Sequence, residues 1–239
     1  MQLLHQFESD GFAVVNDFYS ASEVESIIHQ IETAEPDKEL VRKSEEIFAI
    51  RQFFKAVPSV FGSVFNDKLK NFILENFGKD YFIVKSIYFD KPALSNWYVA
   101  YHQDLTISVD KKIPGLEGFG PWTVKKNQYA VQPPLDILEK NFTIRIHLDN
   151  TNEDNGALNV LKGSHKKGVL RVENIDRDIE TEIACNVNKG GLMLMKPLLM
   201  HSSKRSTNNQ RRRVLHIEFS NLRLPDQILW SEKVNLIYN

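Results

Sequence analysis

The stretch Tyr98–Leu105, YVAYHQDL, places a histidine and a carboxylate two positions apart within an apolar, aromatic run. The composition of this run predicts a β-strand. Side chains of a strand alternate between its two faces, so His102 and Asp104 are predicted to project to the same side. The pair is either two ligands of a metal ion or an ordinary buried polar pair, and the stretch alone leaves both open.

The composition is that of an ordinary globular protein and excludes several classes of function. Of the 239 residues, 42% are hydrophobic and 26% are charged, which is enough to bury a sizeable core. The net charge is −1, and the basic run at 211–213 is too local to form a binding face, so we expect no nucleic-acid partner. We also expect no secretory signal and no membrane partner, because the most apolar run, at 192–200, is far shorter than the roughly 20 residues that cross a bilayer.

The single cysteine, Cys185, excludes an internal disulfide and a metal site built from cysteines. We therefore expect a cytoplasmic protein, in which His, Asp and Glu side chains would hold any metal ion. No feature of the sequence determines the oligomeric state.

The N-terminal part of the chain, residues 1–80, is predicted to be mostly helical. A capping box, either Ser20 with Glu23 or Ser22 with Glu25, opens a helix that carries an apolar stripe. The other elements predicted here are a short strand at Phe12–Val15, helix and turn over 41–78, and within that region a helix over Asp67–Phe77 that Gly78 ends.

Residues 81–222 are predicted to form a β core, because runs rich in β-branched and aromatic residues recur there between short turns. No repeat, linker or low-complexity segment divides the chain. We therefore predict one domain over 1–239, of the α+β class and mainly β, with a sandwich or barrel core. The segment 111–135 is predicted to be a long surface loop and is a candidate lid.

His201 is the strongest candidate for a third metal ligand. It follows an apolar strand and directly precedes a polar loop, which is where a barrel can hold a ligand. Two histidines and one carboxylate that leave open positions match the facial site of non-haem Fe(II) oxygenases. The remaining histidines are His5 and His29 in the helical part, His165 in a turn, and His147 and His216 within alternating strands.

Three consecutive arginines, at 211–213, begin the last long strand. The apolar residues that follow alternate on one face, which places Arg212 on the other face with His216 and Glu218. A cation pointing into a barrel is costly unless it is paired, and a dicarboxylate co-substrate would supply the partner. Alternatively, all three arginines form a solvated strand start, and periodicity alone does not decide.

The motifs occur in an order that is specific as a combination. FDKPALSNWYVAYHQDLTISVD (89–110), VQPPLDILEKNFTIRIHLDNTNEDNGALNVLKGSH (131–165) and HSSKRSTNNQRRRVLHIEF (201–219) follow one another along the chain. Together with the opening DGFAVVNDFYSASEVESI, they resemble the phytanoyl-CoA dioxygenase family of Fe(II)/2-oxoglutarate-dependent oxygenases.

The resemblance implies a double-stranded β-helix, a cupin-like jelly roll, with the N-terminal helices packed on one sheet. It implies that His102, Asp104 and His201 hold Fe(II). It also implies that Arg212, eleven residues after His201, binds 2-oxoglutarate, with O2 at the remaining metal position.

Three further residues are candidates for the co-substrate site: Ser203, Trp122 and Lys91. The family often uses a hydroxyl two residues after the distal histidine and a tryptophan some way after the His-x-Asp motif. Each residue also has a structural explanation, since Ser203 could belong to a turn, Trp122 could pack the loop and Lys91 could end a strand.

The reaction implied is hydroxylation of a small molecule or a carrier-bound acyl group, of which an acyl-CoA is one option, with release of succinate and CO2. Relatives that halogenate have a small residue in place of the carboxylate, so the presence of Asp104 favours hydroxylation. The alternative from another class is a non-catalytic β-helix protein that binds a small ligand.

Overall fold

The computed structural model describes residues 2–37, 39–43, 48–95, 97–125, 128–176 and 178–236. Within these residues the chain forms six α-helices, which are α1 (Gln2–Asp10), α2 (Ala21–Glu32), α3 (Phe53–Ala56), α4 (Phe61–Val64), α5 (Asp67–Phe77) and α6 (Leu135–Lys140). Two helix predictions are confirmed. The capping box that opens α2 joins Ser20 and Glu23, and α5 ends at Gly78.

Fifteen β-strands lie in the same described residues, and the neighbouring strands pair antiparallel. They are β1 (Phe12–Val15), β2 (Val41–Lys43), β3 (Phe48–Arg51), β4 (Phe82–Lys91), β5 (Val99–His102), β6 (Ile107–Val109), β7 (Trp122–Lys125), β8 (Gln128–Val131), β9 (Phe142–His147), β10 (Leu158–Leu161), β11 (Glu182–Cys185), β12 (Leu192–Met195), β13 (His201–Ser203), β14 (Arg212–Ser220) and β15 (Val234–Asn235). The predicted mainly β class is therefore confirmed.

The largest sheet has helices on one face and a cavity on the other. Its strands follow the order β1-β12-β9-β14-β4-β3-β2, with β15 beside β4. Residues of β14 alternate as the sequence predicts, since Leu215 and Ile217 join the helices in one apolar core, whereas Arg212 and His216 line the cavity. Burial of the apolar face stabilises the sheet and leaves its polar face free to build a site.

A second sheet, in the order β11-β10-β13-β5, supplies the opposite wall of the cavity. These two facing antiparallel sheets form the jelly roll that the resemblance implies. A third sheet, β6-β8-β7, packs against β4 through apolar residues that include Val84 and Ile107.

Two local predictions are wrong. Residues 41–43 and 48–51, predicted as helix and turn, form β2 and β3 at an edge of the large sheet. The segment 111–135, predicted as a loop, contains the paired strands β7 and β8. Their β-branched and aromatic residues favour strands, but the glycine-rich and proline-rich start of the segment obscures this signal. The parts of these predictions at 44–47 and 126–127 lie outside the described residues.

None of the helices in the described part of the chain has both the length and the apolar character needed to cross a membrane.

Candidate metal centre

The three predicted metal ligands converge where two strands of the small sheet meet. His102 ends β5, His201 begins β13, and the two residues are register partners. Asp104 follows β5, and its N–H donates to the carbonyl of Pro197 at 2.9 Å. The Nε2 atoms of His102 and His201 each lie 3.9 Å from Asp104, the first from Oδ1 and the second from Oδ2. The three side chains thus present their ligand atoms to a common point.

Gln103, between two of these residues, points away from them, as strand alternation predicts. Its buried Nε2 donates to the carbonyls of Leu198 and Gly168 at 2.6 and 2.8 Å. Its Oε1 accepts from the N–H of Leu170 at 2.8 Å. These bonds connect the end of β5 to neighbouring segments of the same chain and fix the backbone that carries His102 and Asp104.

The hydrogen bonds of the histidines identify which ring nitrogens carry protons. The Nδ1 atoms of His102 and His201 each lie 2.9 Å from a carbonyl oxygen, of Ala100 and Leu199 respectively. A carbonyl only accepts, so both Nδ1 atoms are protonated and both Nε2 lone pairs face Asp104. Lone pairs at 3.9 Å from a carboxylate form no hydrogen bond, and the buried Oδ2 of Asp104 has no hydrogen-bond partner among the described residues. A metal cation would satisfy all three groups.

Electrostatics keep this group in its metal-binding form. Burial lowers the pKa of His201 to about 4, which keeps the imidazole neutral. Burial also raises the pKa of Asp104, but the basic side chains around it, His201 first, outweigh this effect and lower the pKa to about 2. The neutral imidazole of His201 beside an ionised carboxylate offers the kind of donors that a divalent cation requires.

A second possible metal group, formed by Asp104, His216 and Glu218, lies beside the first. The guanidinium of Arg145 donates from NH1 to Nδ1 of His216 at 3.0 Å. The proton of His216 is therefore on Nε2, which donates to Oε1 of Glu218 at 3.1 Å. Glu218 also accepts from Lys85 at 2.7 Å. Because His216 has no free lone pair, the group of His102, Asp104 and His201 is the better metal site.

Three of the four predicted co-substrate residues, Lys91, Arg212 and Ser203, meet around Gly156. Lys91 and Arg212 are register partners on β4 and β14. Arg212 and Ser203 both donate to the carbonyl of Gly156, the serine at 2.9 Å. The φ of Gly156 is +86°, and a Cβ there would lie 2.6 Å from Nζ of Lys91. Only glycine therefore lets these side chains approach one another.

Two cations at this point have no charged partner. Nζ of Lys91 donates to the carbonyl of Lys204 at 2.6 Å, and neither Lys91 nor Arg212 forms an ion pair within the described residues. Burial, followed by the charge of Arg212, lowers the pKa of Lys91 to about 8. Burial, followed by the charge of Arg145, lowers the pKa of Arg212 to about 9. Buried cations of this kind are stabilised by an anionic ligand.

The neighbours of Arg212 belong to the opposite face. Arg211 pairs with Asp90, and Arg213 pairs with Asp149 at 2.8 Å. The hypothesis that all three arginines form a solvated strand start is therefore wrong, since Arg212 is 3% exposed and lines the cavity.

The structure does not bring Trp122 to the site. Its side chain lies on β7 and packs, partly buried, against the apolar cluster beneath the third sheet. The packing explanation for Trp122 is therefore the one that holds. Trp97 lines the cavity instead, with its ring 5.8 Å from Nζ of Lys91.

Sequence reasoning missed two charged residues on the cavity wall next to the metal group, Arg145 and Lys85. The cavity has a volume of about 310 Å³, and its lining includes Arg145, Lys85 and Glu218. A signal for Arg145 was present, because it lies in the alternating run FTIRIH on the same face as His147, and the structure buries every residue of this strand. A cation in such a run requires a polar partner or a ligand.

A jelly roll that combines a two-histidine, one-carboxylate group with a buried arginine has the arrangement of non-haem Fe(II) oxygenases. The family model for phytanoyl-CoA dioxygenase (PhyH) matches residues 7–214. The chain belongs to this family.

Curated relatives are distant and longer than the aligned region. The chain is 24% identical over 183 residues to the ectoine dioxygenases of Bordetella bronchiseptica and Bordetella parapertussis. Each alignment covers 73% of this chain and 52% of the relative. The chain thus spans about half the length of the curated relatives it matches.

Solved structures share the fold. EctD from S. alaskensis, crystallised with 2-oxoglutarate and 5-hydroxyectoine, has a TM-score of 0.70 and 19% identity, covering 92% of this chain and 75% of that one. HygX from Streptomyces hygroscopicus, crystallised with nickel, 2-oxoglutarate and hygromycin B, has a TM-score of 0.64 and 17% identity, covering 92% and 86%. At these identities the likeness establishes the architecture alone.

Proposed function

We propose that the protein is an Fe(II)- and 2-oxoglutarate-dependent dioxygenase that hydroxylates a small molecule, with release of succinate and CO2. The observation that carries the proposal is the convergence of two Nε2 lone pairs on the ionised Asp104, at 3.9 Å each. The buried charges of Arg212 and Lys91 also support the proposal. No ion pair neutralises them within the described residues, and they would fit the far carboxylate of a dicarboxylate.

Two separate groups of residues would bind the metal and the far end of the co-substrate. His102, Asp104 and His201 would hold Fe(II), which with 2-oxoglutarate and O2 supplies the oxidising chemistry. Arg212 and Lys91 would bind the far carboxylate of 2-oxoglutarate. Their charges would then be neutralised in a buried place, where the interaction is stronger than in water.

Ser203 is proposed to position Arg212 as well as to contact the co-substrate. Both side chains donate to the carbonyl of Gly156, so the glycine carbonyl holds the guanidinium in one orientation. A fixed guanidinium loses less conformational entropy when it binds a carboxylate.

The substrate is proposed to be a small molecule, and hydroxylation is favoured because the carboxylate ligand Asp104 is present. The comparisons give no support to an acyl-CoA or another carrier-bound acyl group.

The segment 111–135 is proposed to cover the substrate, which fits the position of Ala130 in the cavity wall. The reducing cytoplasm, where Fe(II) is available, is the proposed compartment.

The test is binding and turnover by the purified protein. We expect Fe(II) and 2-oxoglutarate to give a charge-transfer absorption under anaerobic conditions and slow succinate release in air. His102→Ala should abolish both signals, because two remaining ligands do not hold the metal. His29→Ala, which alters an exposed histidine on α2, is the matched control and should behave like the unaltered protein.

The alternative, a non-catalytic protein that binds a small ligand, gives a different result. Such a protein would bind 2-oxoglutarate without Fe(II) and would release no succinate with any substrate. Retention of both signals by His102→Ala would show that the metal ligands are wrongly assigned.

A further inference from the structure

The polar face of the large sheet carries side chains in rows across β9, β14 and β4. The register gives four rows: Arg212 with Lys91; Val214 with Phe89 and His147; His216 with Ile87 and Arg145; and Glu218 with Lys85 and Thr143. Neighbouring rows lie about 7 Å apart, because side chains on one face recur every second residue. The last two rows lie beside the metal group, since ligand atoms of His216 and Glu218 are within 4.8 Å of that of Asp104.

Arg145 is a buried cation in the third row. It is 6% exposed and lines the cavity. Its NH1 donates to Nδ1 of His216, a neutral acceptor, and its Nε is buried with no hydrogen-bond partner. In the parts of the chain that the structure describes, no carboxylate forms an ion pair with it. Burial lowers the pKa of this guanidinium to about 10, although the charge of Asp104 opposes the shift, which reflects the cost of burying a guanidinium there.

The other charges near the metal group serve other partners. Lys85 pairs with Glu218 at 2.7 Å, and Asp104 is a metal ligand under the proposed function. Under the proposed function, one carboxylate of 2-oxoglutarate is at the metal and the other is two rows away, at Arg212. The charges of Fe(II) and 2-oxoglutarate cancel, so loading the site does not neutralise Arg145.

We infer that Arg145 binds a carboxylate of the substrate beside the metal, and that the substrate is therefore a small carboxylic acid. This inference rests on the proposed function and narrows its substrate class. The guanidinium uses NH1 to bond His216 and offers the edge that carries Nε to an incoming carboxylate, for which its planar fork is suited.

A chain of hydrogen bonds positions this guanidinium. Arg145 donates to His216, His216 donates to Glu218, and Glu218 also accepts from Lys85. Each member is fixed by the next, so the guanidinium, which belongs to a residue of the cavity wall, is held in one orientation. Such preorganisation increases affinity because little ordering remains to be done on binding.

The test uses protein loaded with Ni(II) and saturating 2-oxoglutarate, which blocks the Arg212 end and prevents turnover. Binding of matched acids and amides, benzoate with benzamide and hexanoate with hexanamide, is measured by ligand-observed NMR titration. We expect the acids to bind about tenfold or more tightly than their amides, as charged hydrogen bonds allow. Amides that bind as tightly as acids, or acids that show no binding up to their solubility, overturn the inference.

Variants assign the preference to one residue. Arg145→Gln should reduce acid binding to the level of the amides while changing the Kd of 2-oxoglutarate by less than about twofold. Arg145→Lys, which keeps the charge but not the fork, should be intermediate. Arg211→Gln, on the opposite face of the sheet, should change neither the binding of the acids nor the binding of 2-oxoglutarate. A loss of 2-oxoglutarate binding without loss of acid binding would instead assign Arg145 to the co-substrate.

The loading step separates this inference from the proposed function. Protein that fails to bind Ni(II) and 2-oxoglutarate contradicts the proposed function itself. Protein that loads but does not distinguish acids from amides contradicts only the assignment of Arg145. If Arg145→Gln does not fold, the acid and amide comparison on the unaltered protein still decides.

Discussion

Three consecutive arginines serve two faces of one strand. Arg211 and Arg213 form ion pairs outside the cavity, whereas Arg212 is buried inside it beside Lys91. The period of two in a strand separates Arg212 from its two neighbours, but the family resemblance was needed to choose between a buried and a solvated strand start. Trp122 had no such periodic constraint, because its distance from the metal group depends on how a separate sheet folds back.

We expect Arg212→Ala to raise the Kd of 2-oxoglutarate by roughly 10- to 100-fold, because charged hydrogen bonds are lost. Arg211→Ala is the matched control, because its 46% exposed side chain pairs with Asp90 away from the cavity. The measurement is an anaerobic titration of the Fe(II) protein with 2-oxoglutarate. Equal losses in the two variants would mean that the register of β14 is wrong.

Elements with local signals were predictable from the sequence, and elements that depend on distant partners were not. The α2 capping box and the glycine that ends α5 act within one turn, so each identifies its helix end unaided. Strand β3 has four residues and pairs with β4, more than thirty positions later. Such a short strand shows no clear period, and only its partner fixes it.

The C-terminal segment docks on β4 through a half-buried acid, Glu232, which makes stability depend on pH. Burial raises the pKa of Glu232 from 4.5 to about 7, although hydrogen bonds from Ser86 oppose the shift. The folded state therefore favours the protonated acid. The stability that protonated Glu232 contributes is fully present below about pH 4.5 and is lost as the pH rises through about 7.

We expect Glu232→Gln to remove the loss of stability with rising pH, since an amide stays neutral. Thermal unfolding between pH 5.5 and 8.5 should show Tm falling with rising pH in the unaltered protein more steeply than in the variant. Glu75→Gln, an exposed change on α5, is the control and should follow the unaltered protein. Parallel pH profiles for all three proteins would exclude Glu232 as the source.

The whole molecule places its site between two sheets that meet along the cavity. The small sheet supplies His102 and His201, and the large sheet supplies Lys91 and Arg212. Family motifs in the sequence were enough to predict this architecture and the residues that converge in both groups, with the exception of Trp122, which lies on β7. They were not enough to predict the charged wall around Arg145, because the burial of a cation depends on partners that only the packed sheets bring together.

A ligand set that spans both sheets should stabilise the whole fold in two separable steps. A divalent metal such as Mn(II) needs only the small-sheet ligands, whereas 2-oxoglutarate needs the metal and Arg212 together. At a concentration 100 times its Kd, each ligand adds about 2.7 kcal/mol to the free energy of unfolding, a rise in Tm of roughly 5–10 °C for a chain of this size. We expect Arg212→Ala to keep the metal step and lose most of the second, and His102→Ala to lose both, in thermal unfolding with each ligand added in turn. Full stabilisation of His102→Ala by 2-oxoglutarate would show that the acid binds without the metal, and the two groups would then be separate sites.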